Sequence, residues 1–271
     1  MQTKLIQTII GAIFCLTALF SNAQEGFGDV RVVTGISLGY SDFTFPEKLD
    51  HNISFPSASI PIALTLNNWQ LSLNASASLA DADIAEEEDL GQASRKDLDF
   101  TLGYRLNKNW SLFAGFKYGK TSMTFIPRDF GEEPDEEESP QVAQGITEES
   151  YLQKGPFFGA NCSWQFEKAG SLSLSVAYAY LDATNQFSAN TDEDEEDDEL
   201  PEFDDLTGRI KGDTQGFSYA LSWTMPLSSN LLFQTRFKIN DYQQDIVVDG
   251  QRFKDIDETF STLQIGLAYV F

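Results

Sequence analysis

Apolar and polar residues alternate with a period of two in ten separate stretches of the chain. This is the pattern of strands with one face turned to an apolar environment. The stretches are about 32–44, 57–66, 69–80, 97–106, 110–125, 152–166, 171–181, 216–225, 231–240 and 262–271. The cleanest, 69–80, reads Trp-Gln-Leu-Ser-Leu-Asn-Ala-Ser-Ala-Ser-Leu-Ala. The last sets Leu263, Ile265, Leu267, Tyr269 and Phe271 on one face, against Thr262, Gln264, Gly266 and Ala268 on the other. Most stretches reach the ~9–11 residues with which a tilted strand crosses a bilayer. The mean hydropathy of −0.27 hides this, because such a strand shows only half its residues to lipid.

The connections alternate in length. Short ones at 67–68, 107–109, 167–170 and 226–230 alternate with long ones at about 45–56, 81–96, 126–151, 182–215 and 241–256. Short periplasmic turns, long outer loops and an even strand number belong to an all-β, antiparallel, up-and-down transmembrane barrel. Ten strands are counted, with eight and twelve as the neighbouring alternatives. Pro56, Pro61 and Pro156 make the second and sixth strands the weakest, since proline cannot donate to a ladder. Trp69 and Trp110 follow short turns, whereas Trp164 and Trp223 precede them, so all four fall at one end on the outward face. Indoles favour the bilayer interface, and a soluble β-sandwich, the rival fold, has no reason to segregate them.

The chain begins with Lys4, an apolar stretch over 5–20 and Ser21-Asn22-Ala23. This is a secretory signal with cleavage expected before Gln24. It leaves a short segment, 24–29, and a barrel domain over 30–271. Cys15 departs with the signal, so Cys162 has no intrachain partner and reads as an outward apolar residue.

The formal net charge of −24 is concentrated. Segments 81–89, 129–149 and 192–205 hold 26 of the 42 acidic residues, and the strands are close to neutral. Such a surface makes nucleic acid an implausible partner.

With these strands, turns, tryptophans and the terminal Tyr269 and Phe271, the mature chain resembles the small, porin-like outer-membrane β-barrel proteins of Gram-negative bacteria. The resemblance implies an integral place in the outer membrane, among lipid and lipopolysaccharide. It also implies recognition of the closing strand by the barrel-assembly machinery.

Function is less legible, because one architecture hosts many tasks. Parity places Asp97, Asp99, Arg105, Lys117, Arg236 and Lys238 in the lumen, along with Gln70, Gln165, Gln234 and Gln264. These charges either pair and plug the barrel or line a narrow pore for small solutes. The acidic runs read as solvated coil. Loose capture of divalent cations is the alternative, with Asp192, Asp194, Glu196 and Asp198 as candidate ligands. Asp50, His51, Asp81 and Asp83 offer a distant resemblance to the omptin proteases, ten-stranded barrels with an Asp–His pair at the outer rim. Adjacency of Asp50 and His51 argues against that, since neighbours on an extended strand point to opposite sides. No cofactor motif is present. The sequence therefore predicts a non-enzymatic barrel with a structural, surface-interaction or narrow-pore role.

Overall fold

The computed structural model describes residues 30–44, 52–85, 90–126, 146–167, 169–189, 208–248 and 251–271. The signal segment 1–23, residues 24–29, Asp50, His51 and the run from Asp192 to Asp198 lie outside the described residues.

Eleven strand segments form one antiparallel sheet: β1 (Val30–Thr44), β2 (Asn52–Leu66), β3 (Trp69–Ser78), β4 (Ala82–Ala85), β5 (Leu90–Arg105), β6 (Trp110–Ile126), β7 (Ile146–Phe166), β8 (Gly170–Ala189), β9 (Gly208–Pro226), β10 (Leu231–Val248) and β11 (Gln251–Val270). Sequence neighbours pair throughout except β3 and β4, and β1 pairs with β11. Both β3 and β4 pair with β5, so they are two pieces of one stave and the closed barrel has ten.

The register tilts the wall. A row starting at Gln70, beside a short turn, runs through Gly103, Phe113, Gly159, Ala177, Ser218, Asn240 and Phe260 to Phe43, near the long connections. Such a climb around the circuit is the stagger that closure of tilted strands requires.

The four short turns hold the expected positions. Asn67 adopts a left-handed φ of 53° in the tightest, and Asn107 Oδ1 accepts from the backbone N–H groups of Asn109 and Trp110 at 2.9 Å each in another. Two ladders are interrupted at prolines without a register slip. The β1–β2 pairing passes from Thr34↔Ile62 to Ser37↔Ser59 across Pro61, and β7–β8 from Lys154↔Asp182 to Phe157↔Ala179 across Pro156.

The strands are longer than the apolar alternation predicts. The expected loop 241–256 is almost entirely strand, with Asp241 to Val248 paired back onto 251–259. The expected loop 81–96 contains β4 and the first residues of β5. The expected loop 182–215 shrinks because β8 runs to Ala189 and β9 starts at Gly208. Pairing continues past the point where the outward face turns polar. Outward Asp182, for example, stands between Lys154 and Asp213 on its neighbouring strands.

The outer wall carries a continuous apolar band starting at the short turns. Large apolar side chains face outward with Leu38 57 % and Phe158 64 % exposed, which excludes a soluble core on that side. Each strand then crosses to a polar residue: Tyr40 is followed by Asp42, Tyr118 by Lys120, Tyr180 by Asp182 and Ile239 by Asp241. Five outward positions per strand span about 25 Å once tilt is counted, the height of a transmembrane band. Trp69, Trp110, Trp164 and Trp223 stand at its short-turn edge, all exposed outward. Trp223 Nε1 donates to the Ala169 carbonyl at 2.7 Å, and Trp69 packs edge-on against Tyr104 at 4.8 Å. Tyr269 and Phe271 make a similar pair at 4.8 Å, and the Phe271 N–H closes onto Val32 O at 2.9 Å.

Candidate functional site

The inward face of the barrel is where function-bearing groups converge, and it divides into two halves. Toward the short turns the inward positions are mostly small or neutral polar residues. They bond to one another along the wall: Ser163 Oγ to Ser173 Oγ at 2.8 Å, Ser175 Oγ to Asn161 Oδ1 at 2.8 Å, and Asn161 Nδ2 to Ser163 Oγ at 2.9 Å. Small residues leave space, and a cavity of about 600 Å³ occupies this half. Its lining includes the turn residues Asn68, Asn107, Lys108 and Asn109, so its mouth is at the short-turn end.

Two aromatic rings narrow the cavity from the wall. Phe113 and Phe157 meet edge to face at 6.3 Å. They fit because glycines lie beneath them: a Cβ on Gly115 would sit 2.5 Å from the Phe157 ring, and one on Gly159 would sit 2.6 Å from Phe113. Gly159→Val is therefore expected to destabilise the barrel by about 1–3 kcal/mol through overpacking. Urea unfolding of the refolded protein would show this as a lowered midpoint, and Phe113→Ala in the same chain should recover part of it.

At mid-lumen the charges predicted from parity appear. Lys238 Nζ donates to Asp99 Oδ2 at 3.1 Å. Lys117, almost fully buried, has its ammonium 5.4 Å from the centroid of the Tyr242 ring. Arg236 also lines this level, and a small cavity of about 40 Å³ lies beyond it, separated from the large one by Asp99, Arg236 and Lys238.

The half of the lumen nearer the long connections is packed shut. Phe43, Ile53, Phe55, Ala82, Ala93, Met123, Tyr151, Ala183 and Phe260 form a buried cluster inside the barrel. Arg95 passes through it, its guanidinium 5.2 Å from the Phe43 ring centroid and 4.3 Å from that of Phe260. The same guanidinium holds Asp97 through Nε at 3.0 Å and Nη2 at 2.9 Å, and Thr121 Oγ1 at 3.0 Å. A planar cation flanked by rings and bound bidentately is arginine's particular chemistry. Nearby, Glu258 Oε2 accepts from the Tyr151 hydroxyl at 2.8 Å and from Gln153 Nε2 at 2.7 Å.

Glu258 lies above the apolar band, flanked along β11 by Asp257 and Thr259. Burial raises its pKa above the ordinary 4.5, against the pull of Arg95 and the two donated hydrogen bonds. The folded form therefore holds its proton more tightly than the unfolded chain. Stability from this group is present below pH 4.5 and is lost as pH rises through its folded value. Thermal unfolding of wild type and Glu258→Gln across pH 4–8 should show the variant gaining on wild type as pH rises. A constant or shrinking difference would contradict this assignment.

The six lumen residues read from the sequence all face inward, but they do not form one network. Asp99 pairs with Lys238 as expected of a plug. Asp97 pairs with Arg95, which falls inside the expected loop 81–96. Arg105 lines the mouth of the large cavity, and Arg236 projects into it. Parity carried beyond the apolar residues of β5, β7, β10 and β11 would have added Arg95, Tyr151, Gln153, Tyr242 and Glu258. Asp81, just before β4, and Asp83, within it, are exposed, and among the described residues no cluster of metal-ligating side chains occurs.

No family model matches the sequence, and no curated protein matches it either. Solved structures do share the architecture. The outer-membrane protease OmpT of Escherichia coli is 13 % identical, with a TM-score of 0.53, covering 91 % of this chain and 98 % of that one. The translocator domain of the autotransporter NalP from Neisseria meningitidis is 10 % identical with a TM-score of 0.47, covering 97 % of each chain. The β domain of the Bordetella autotransporter BrkA is 7 % identical with a TM-score of 0.46, covering 90 % of this chain and all of that one. With its lipid-facing band, ten closed staves and short-turn girdle, this chain has the fold of an outer-membrane β-barrel.

Proposed function

We propose that this protein is a closed, non-enzymatic barrel of the outer membrane whose task is structural or surface-interacting. On this reading the barrel is an anchor, and the acidic segments between its strands meet the cell's surroundings. The observation that carries it is the packed lumen: Arg95 clamped between Phe43 and Phe260, with Ile53, Phe55, Met123 and Tyr151 around it. A solute path would have to cross that cluster, where the side chains are buried as deeply as in a soluble core.

Proteoliposomes swelling in a small sugar are the direct test. Liposomes carrying the protein should swell no faster than empty ones, whereas rapid swelling would favour the narrow-pore role. The non-enzymatic half of the reading predicts no turnover of fluorogenic peptides, with or without His51→Ala. Turnover abolished by that substitution would replace the reading with the protease alternative.

A further inference from the structure

The charge of the 600 Å³ cavity runs against that of the whole protein. The chain carries a formal −24. The cavity is lined by six cations, Arg31, Arg105, Lys108, Lys117, Arg236 and Lys238, against one carboxylate, Asp99. Asp99 is engaged by Lys238. Among the described residues Arg31, Arg105, Lys108 and Arg236 form no ion pair.

Four unpaired cations crowded into one concavity repel one another, an arrangement that costs stability unless anions occupy it. Three of them are arginines, two of which lie at different depths, Arg105 near the turns and Arg236 at the floor, and their forked donors fit oxyanions bidentately. Serine, asparagine, glutamine and threonine side chains fill the wall between them, offering neutral donors. The strand ends that the acidic segments join, among them Ala85, Ile126 and Ala189, lie at the other end of the barrel. The length of β6 alone, 17 residues, separates the two ends by roughly 40 Å, several Debye lengths at physiological salt. The volume lies in the range of small-molecule sites, ~300–1,000 Å³.

We propose that this cavity is a blind binding cup for a small, soluble, multiply charged oxyanion that enters from the short-turn side. Phosphoryl and carboxylate groups share the required chemistry. With the short turns in the periplasm, the ligand is a periplasmic solute, and the packed half of the lumen keeps it from crossing.

The test is calorimetric titration of the full mature chain in nonionic detergent at low ionic strength, with tripolyphosphate in one arm and citrate in the other. Saturable 1:1 binding of either supports the cup and tells the two oxyanion sources apart. Affinity should fall with added salt. Arg236→Gln and Arg105→Gln should each weaken binding about ten-fold or more, the loss of a charge-assisted contact. Lys154→Gln, on the outer wall, should leave it unchanged. Arg105 lies at the exposed mouth, so its variant reports even if Arg236→Gln does not refold. No saturable heat in either arm would overturn the proposal. So would binding insensitive to both arginine variants, or equally weakened by Lys154→Gln.

Discussion

Arg95→Ala is expected to lower the unfolding free energy of the barrel by about 3–5 kcal/mol, the usual cost of removing one partner from a buried ion pair. The magnitude follows from what the guanidinium holds. It is nearly fully buried, binds both oxygens of Asp97, donates to Thr121 and fills the gap between two phenyl rings. Alanine would leave Asp97 in a largely dehydrated lumen without its counter-charge, and Glu258 would lose a compensating cation. Arg95→Lys should recover only part of the loss, because an ammonium cannot stack between rings or bind a carboxylate in a fork. Denaturant unfolding in lipid vesicles, with Lys154→Ala on the outer wall for comparison, reads the effect directly. A loss below about 1 kcal/mol would show that the clamp adds little to the packing around it.

The second large effect is on permeability. Phe43→Ala combined with Phe260→Ala removes both rings that grip Arg95, together with the edge-to-face contact between them at 6.1 Å. The 40 Å³ cavity already touches Phe55, Phe260 and Arg95, so the vacated space joins it rather than forming a sealed void. Below it stand Arg236 and the Asp99–Lys238 pair, whose side chains are 16 % and 23 % exposed. Such a constriction is charged and wet, and ions pass it more readily than an apolar plug. The double variant is expected to show conductance steps in planar bilayers. Each truncation also costs about 3–5 kcal/mol of packing. Phe260→Ala alone is the milder form, with brief openings as its expected signature. Refolded variants that stay silent would place the closure elsewhere along the lumen.

The barrel was legible because its physics is written in parity. Every second residue of the closing strand must satisfy lipid, so Leu263, Ile265, Leu267 and Tyr269 announced both a strand and its outward face. The tryptophans and short turns then set its polarity along the membrane normal. The packed half of the lumen was less legible for the same reason. Where a strand leaves the bilayer its outward residues turn polar and the alternation inverts in character: Arg95 and Glu258 are buried inside while Lys96 and Asp257 face solvent. Outward hydrophobicity ends at that point, which leaves Arg95 in the expected loop 81–96 and Glu258 outside the closing stretch 262–271. The inward phenylalanines escaped for another reason. Phe113 and Phe157 sit opposite glycines on neighbouring strands, a complementarity set by register that no single strand reveals. Likewise Asp97 found its counter-ion two residues away on its own strand rather than across the lumen.

Ion conduction separates the proposed closed barrel from an open one. Purified wild-type protein, inserted into a planar lipid bilayer under a steady potential, should give no current above that of the bare membrane, while the Phe43→Ala, Phe260→Ala variant conducts in the same chamber. Stable, reproducible single-channel steps from the wild-type protein would mean that the lumen is open.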